Sequence, residues 1–161
     1  MQPFTFSIDL PVQSHWRNVD LLRTSVHSCF IAVFADVDGC NAIAMVTGEL
    51  LENAIKYGDW TGEDKSLRLR VNGRRGTVTI QVENPIDPAN RQSSELEECL
   101  SWISQFPDAE AAYKAKLIEI ASKPRNTSGL GLVRCAYEGN SVLRSETVDG
   151  NALRVTAEMT F

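Results

Sequence analysis

Between Asp36 and Gly58 one stretch of sequence carries two helical stripes side by side, and few folds accommodate that. Ile43, Val46, Leu50, Ala54 and Tyr57 recur at three- and four-residue steps, the spacing of an apolar helix face. Glu49, Asn53 and Lys56 follow at i, i+4 and i+7 on the stripe beside it. Asp36-Val37-Asp38 puts carboxylates at the start and Gly58 supplies the stop, so the spacing predicts a helix ending at Tyr57. Such a helix buries one face and holds a carboxylate, a carboxamide and an amine at the rim of the core. The plainer reading is a set of exposed helix residues with Glu52 and Lys56 as an ordinary i, i+4 ion pair.

The flanking sequence says what that helix packs on. Phe4, Phe6, Ile8 and Leu10 alternate with polar residues until Pro11, the period of a half-buried strand. Trp16, Val19, Leu22, Val26 and Phe30 give a first helix from Ser14 to about Phe34, with His15 and His27 riding on it and no third ligand at metal spacing. Leu67, Leu69 and Val71, then Val78, Ile80 and Val82, alternate on either side of an Asn72 to Gly76 turn, which makes a hairpin. From Asp87 to Thr127 the character turns polar and helical. Ser94 and Glu97 stand at capping-box spacing, and Pro107 divides one helix from a second over Ala109 to Ala121. This stretch reads as a helical lid insert. Leu130 to Tyr137 is a short helix, and two strands follow around Asp149-Gly150-Asn151. Strand, two helices, hairpin, insert, helix, hairpin is the order of an α+β two-layer sandwich, a mostly antiparallel sheet with helices on one face.

With 161 residues the chain suits one domain, residues 1–161, and a 43% hydrophobic, 23% charged composition suits a folded one. A net charge of −5 disfavours nucleic acid and anionic membrane as partners. Arg68, Arg70, Arg74 and Arg75 form the one basic cluster and read as the solvated face and tip of the hairpin. Cys29, Cys40, Cys99 and Cys135 lie far apart without a CxxC pair, as expected of buried thiols in a reducing compartment. With no membrane-length apolar run and no secretion signal in the sequence, the cytoplasm is the expected location.

Two segments carry chemistry. Magnesium takes oxygen ligands, so the Asn53 carbonyl together with phosphate oxygens is a sensible binding set, and Glu49 one turn earlier is placed to orient or deprotonate a nucleophile. Thr127-Ser128-Gly129-Leu130-Gly131-Leu132 enters the short helix, where glycines admit a ligand to the backbone and free N–H groups face an anion. Either feature alone is weak, but both in this order, separated by a hairpin and an insert, are specific.

In these two segments the sequence resembles the GHKL ATPase superfamily and, within it, the bacterial anti-sigma-factor protein serine kinases. Glu49-Leu50-Leu51-Glu52-Asn53-Ala54-Ile55-Lys56-Tyr57-Gly58 is similar to that family's N box, with Glu49 at the catalytic-base position and Asn53 at the magnesium-ligand position. Ser128-Gly129-Leu130-Gly131-Leu132 is similar to its second glycine box, which wraps the phosphates of ATP. The resemblance implies a Bergerat-type ATPase fold, ATP and magnesium as cofactors, and phosphorylation of a regulatory partner, anti-anti-sigma-like or sigma-factor-like. It also implies that a homodimer is compatible with the chain. Asn84 falls where the family has an adenine-recognising aspartate, and Ile86 and Pro88 stand where it has two glycines. A carboxamide can accept from the adenine amine and donate to a ring nitrogen, whereas Pro88 removes a donor and Ile86 adds bulk to the pocket wall. Ala152 follows Gly150-Asn151 where the family often has a threonine near the base. The alternative is a degenerate module that keeps the fold and a partner surface without turnover; a histidine-kinase catalytic fragment fits less well, since no phosphoacceptor-helix region precedes the domain.

Overall fold

Alternation leaves the strands one way to bury their apolar side chains, and five of them do so on a common face. The computed structural model describes residues 3–11, 19–33, 36–74, 76–89, 92–123 and 129–161. In chain order the elements are β1 (Phe4–Pro11), α1 (Val19–Val33), α2 (Val37–Tyr57), β2 (Ser66–Arg74), β3 (Thr77–Pro85), α3 (Gln92–Ile103), α4 (Ala109–Ser122), α5 (Leu130–Tyr137), β4 (Ser141–Val148) and β5 (Ala152–Thr160). The sheet runs β1-β2-β3-β5-β4, and every neighbouring pair is antiparallel. The expected two-layer α+β sandwich is present, with a wholly antiparallel sheet in place of a mostly antiparallel one.

Leu67, Leu69 and Val71 of β2, Val78, Ile80 and Val82 of β3, and Leu153, Val155 and Met159 of β5 form one buried cluster with Ile43, Val46, Leu50 and Ala54 of α2. Leu22, Val26 and Phe30 bring α1 into the same cluster, and Phe4 and Phe6 meet the Phe30 ring edge-on at 5.4 and 6.4 Å. The predicted helix face of α1 is therefore present from Leu22 to Phe30. Ser14, His15, Trp16 and Phe34 lie outside the described residues.

Local sequence accounts for most boundaries. Asp36 caps α2, its carboxylate accepting from Asp38 N–H and Gly39 N–H at 3.1 Å. Gly58 ends α2 with φ −72°, so it is not there for a left-handed turn: a Cβ would stand 2.6 Å from the Ala54 carbonyl and 2.7 Å from the Trp60 indole. That indole in turn donates to the Ile55 carbonyl at 3.0 Å. The hairpin turn is shorter than predicted, because Asn72 and Gly73 stay in β2. Gly73 is required within the strand, where the Phe4 ring occupies the space a Cβ would take. The α3 helix begins at Gln92, two residues before the capping-box serine, and Asp108 caps α4 by accepting from Ala111 N–H at 2.8 Å. Cys40 and Cys135 are buried as expected, whereas Cys29 is exposed on the outer side of α1.

The far face of the sheet carries a row of charges, one residue on each strand: Asp9, Arg68, Glu83, Arg154 and Glu146. The register sets each directly beside the next, Asp9 with Arg68, Arg68 with Glu83, Glu83 with Arg154 and Arg154 with Glu146. The ion pairs span 3.1, 2.9, 2.9 and 2.8 Å in that order. Arg68 is thus exposed on the hairpin face, as expected, and is also a paired member of a network. Glu83 alone serves two arginines, and each exposed pair contributes about 0–1 kcal/mol. Glu83→Gln is therefore expected to lower unfolding stability by roughly 1–2 kcal/mol, with the deficit shrinking in 1 M salt, as read by urea denaturation at two ionic strengths; Arg70→Gln, on the next row, should be near neutral.

Candidate functional site

Seating the apolar stripe of α2 on the sheet aims its second stripe sideways toward α5. Glu49, Glu52, Asn53, Lys56 and Tyr57 then line one side of a cavity of about 240 Å³, and Gly129, Leu130, Gly131 and Arg134 line the other. The two segments singled out in the sequence thus meet in space. Thr127 and Ser128 lie outside the described residues. Leu132 turns away from the cavity and joins the core, 3% exposed. Lys56 lies over the Tyr57 ring at 4.8 Å, and the partner of Glu52 is Arg23 of α1 at 2.8 Å rather than Lys56.

Glu49 is held from two sides. Its Oε1 accepts from Arg134 Nη1 at 2.7 Å, and its Oε2 sits where a Cβ on residue 131 would be. Gly131 and Arg134 are one turn apart on α5 and face the same carboxylate. The second glycine of the box therefore has a structural duty toward Glu49 in addition to any toward a ligand. Burial pushes the Glu49 carboxyl above its ordinary range, against the opposing pull of Arg134. Arg134 in turn is forked onto Glu138, Nε to Oε2 at 3.2 Å and Nη2 to Oε2 at 3.1 Å. Sequence reasoning missed Arg134; the available signal was an arginine one turn past the glycine box with a glutamate four residues on.

A second cavity of about 320 Å³ lies on the α1 side of Glu49, lined by Arg23, Thr24, His27, Asn41, Ala44, Met45, Glu49 and Arg134. The Glu49–Arg134 pair is thus the wall between two chambers. Arg23 reaches Glu52 by crossing α2 at Gly48, where its Nε is buried and unpaired and occupies the place a Cβ would take. His27 shares a hydrogen bond of 2.9 Å with Asn41.

The segment expected to hold a base departs from the cavity. Asn84 is 2% exposed and its amide donates to the Pro85 carbonyl at 3.1 Å, while Ile86 is buried in the same core cluster as Leu96 of α3. Asp59 N–H donates to the Pro85 carbonyl at 2.8 Å and Ile86 N–H to the Asn151 carbonyl at 2.9 Å, so the chain is held where it leaves β3. On the other side Cys99 of α3 and Lys116 of α4 close on Gly129, whose φ of +80° suits glycine and whose Cβ would stand 2.9 Å from the Cys99 sulfur. Carboxylate, carboxamide, amine and glycine backbone are a donor set that fits phosphate and a hard cation.

No protein-family model matches the sequence, and no curated protein matches it. In fold the chain is similar to a chain in the crystal structure of the SiaB-SiaC complex from Pseudomonas aeruginosa, with a TM-score of 0.64 and 18% sequence identity over 97% of this chain and 89% of that one. At that identity the likeness is one of fold. Among the described residues no helix is long and apolar enough to cross a membrane.

Two outcomes follow from this geometry. Gly131→Ala should displace the Glu49 carboxylate and so offset the helix-propensity gain of alanine, whereas in a Glu49→Ala background the same change should stabilise by up to about 1 kcal/mol, a cycle read by chemical denaturation. Asp59 accepts from Thr61 and Lys65, which holds its pKa down at about 2 against an ordinary 3.8. A depressed folded-state pKa gives stability that is present above the ordinary value and is lost as pH falls from about 4 toward 2. Asp59→Asn should flatten that limb of the pH–stability curve.

Proposed function

We propose that this chain is an ATP- and magnesium-dependent protein serine/threonine kinase of the anti-sigma-factor, partner-switching type, acting on and binding a regulatory protein. The observation that carries this reading is the single cavity in which Glu49, Asn53 and Lys56 of α2 face Gly129 and Gly131 at the start of α5. The similar fold of a chain in the SiaB-SiaC complex supports a role exercised through a second protein.

In this scheme ATP supplies the phosphoryl group and magnesium the charge that offsets it. The Asn53 side-chain oxygen would be the protein ligand for the cation, and the Lys56 amine and the backbone at Gly129 and Leu130 would receive the phosphate oxygens. Glu49 takes the proton from a serine or threonine hydroxyl of the partner. A carboxyl raised by burial is a better base than an exposed one, provided it is free of its arginine. Asn84 would meet the base only if the end of β3 loosened, since the residue is buried opposite Leu153 of β5 and its amide donates to the adjacent Pro85 carbonyl.

That burial favours a second reading, a partner-binding module of the same fold without turnover. Calorimetric titration of ATP with and without magnesium separates the two. The kinase reading expects magnesium-dependent binding by the wild type, weakened at least about tenfold in Asn53→Ala, about 1.4 kcal/mol. It further expects transfer to a partner that Glu49→Ala abolishes. Absence of ATP binding by the wild type sinks the kinase and leaves the binding module.

A further inference from the structure

The contact that closes the site on Glu49 is one end of a chain of polar contacts that runs to the helical insert. Arg134 holds Glu49 with one guanidinium nitrogen and Glu138 with the other two, at 2.7 Å and at 3.1 to 3.3 Å. Tyr113 of α4 stacks on Tyr137, the chain neighbour of Glu138, with ring centroids 5.0 Å apart, which brings its hydroxyl close enough to Glu138 to shift the titration of both groups. Tyr113, Glu138, Arg134 and Glu49 thus connect α4, the outer face of α5 and α2 in sequence. We propose that Arg134 is a latch on the Glu49 carboxylate and that α4, through Tyr113 and Glu138, determines whether the latch is closed.

The physical reason is competition for one guanidinium. Arg134 reaches Glu49 only while its fork is set by Glu138, because a planar guanidinium has fixed N–H directions. Glu138 carries one negative charge next to a second at Glu49, and the Tyr113 hydroxyl keeps Glu138 turned toward the arginine. If α4 moves away, Glu138 loses a donor and the fork loses its reference. Glu49 then faces two chambers with no fixed partner. Among the described residues, the charged or titratable groups around it are Glu52, Lys56 and Tyr57 on its own helix, Arg23 and His27 on α1, and Arg134, Cys135 and Glu138 on α5. Arg134 is the one whose contact with Glu49 is a direct hydrogen bond. Closed, the latch keeps a carboxylate that could deprotonate a hydroxyl engaged with a cation; open, it releases that carboxylate beside the cavity. The bearing on phosphotransfer rests on the function proposed above, while the latch itself is a property of the chain without nucleotide.

The test uses the full chain without ligand. Nuclear magnetic resonance reads the Glu49 side-chain carboxyl as a function of pH and the solvent exchange of the Arg134 Nε proton. Arg134→Gln should move the Glu49 titration upward, since the favourable cation is removed and burial remains, and Arg134→Lys should return it part of the way. Tyr113→Phe keeps the ring stack and deletes only the hydroxyl; it should raise Arg134 Nε exchange several-fold with unchanged amide dispersion elsewhere. Should Arg134→Gln fail to fold, Glu138→Gln is the second variant, expected to accelerate the same exchange. An unmoved Glu49 titration in folded Arg134→Gln overturns the latch, and unchanged Arg134 exchange in Tyr113→Phe overturns the link to α4. Neither readout involves ATP, so a chain that binds no nucleotide would lose the proposed kinase function and still decide this question.

Discussion

The seating of α2 on the central strands constrains every feature of the candidate site. Ile43, Val46, Leu50 and Ala54 face Val78, Ile80 and Val82 and the β5 side chains, and close packing there fixes the rotation of α2 about its axis. Glu49, Asn53 and Lys56 can then point only along the stripe that remains, toward α5. A rotation of one residue, 100°, would send the carboxylate into the core or into solvent. The chemistry of the site is thus a by-product of hydrophobic packing, and its precision comes from the core rather than from the polar residues themselves.

Small residues give that arrangement its close approaches. Gly48 lets Arg23 cross α2, Gly131 lets the Glu49 carboxylate lie against α5, and Gly73 lets the Phe4 ring lie across β2. In each case the absent side chain is replaced by a neighbour's, and two of the three neighbours are charged groups of the candidate site. Glycine serves here less as a source of backbone freedom than as a socket. At Gly131 the two interpretations of a glycine box, close approach of a ligand and close approach of a side chain, apply to the same atom position.

The elements were legible in the sequence because each follows from local periodicity. The α2 helix from Val37 to Tyr57, the two hairpins and the α5 helix from Leu130 to Tyr137 repeat a spacing that a short window reveals. That the Glu49–Lys56 segment and the Gly129–Leu132 segment would meet was implied by the family resemblance and not by any local pattern. What could not be read is long-range and side-chain specific. Arg134 contacts Glu49 across 85 positions, and nothing in a window around either residue announces the other. Asn84 looked like a nucleotide contact by position, yet it is buried at the end of β3 opposite Leu153 of β5, a pairing with a strand far off in sequence. Leu132 lies within the glycine-box segment but falls on the core side of α5, a distinction that only the helix phase settles.

The row of charges on the open face has a further consequence at its two ends. It begins at Asp9 and finishes at Glu146, so both margins of the sheet close on a carboxylate. The alternation that ties five strands together is therefore odd in length and acidic at each border. A neighbouring copy laid edge to edge in continuation of that row would set Glu146 against Asp9, or either against itself, and the contact would be repulsive in every case. The same side chains that bind the strands within one sheet thus mark where that sheet stops.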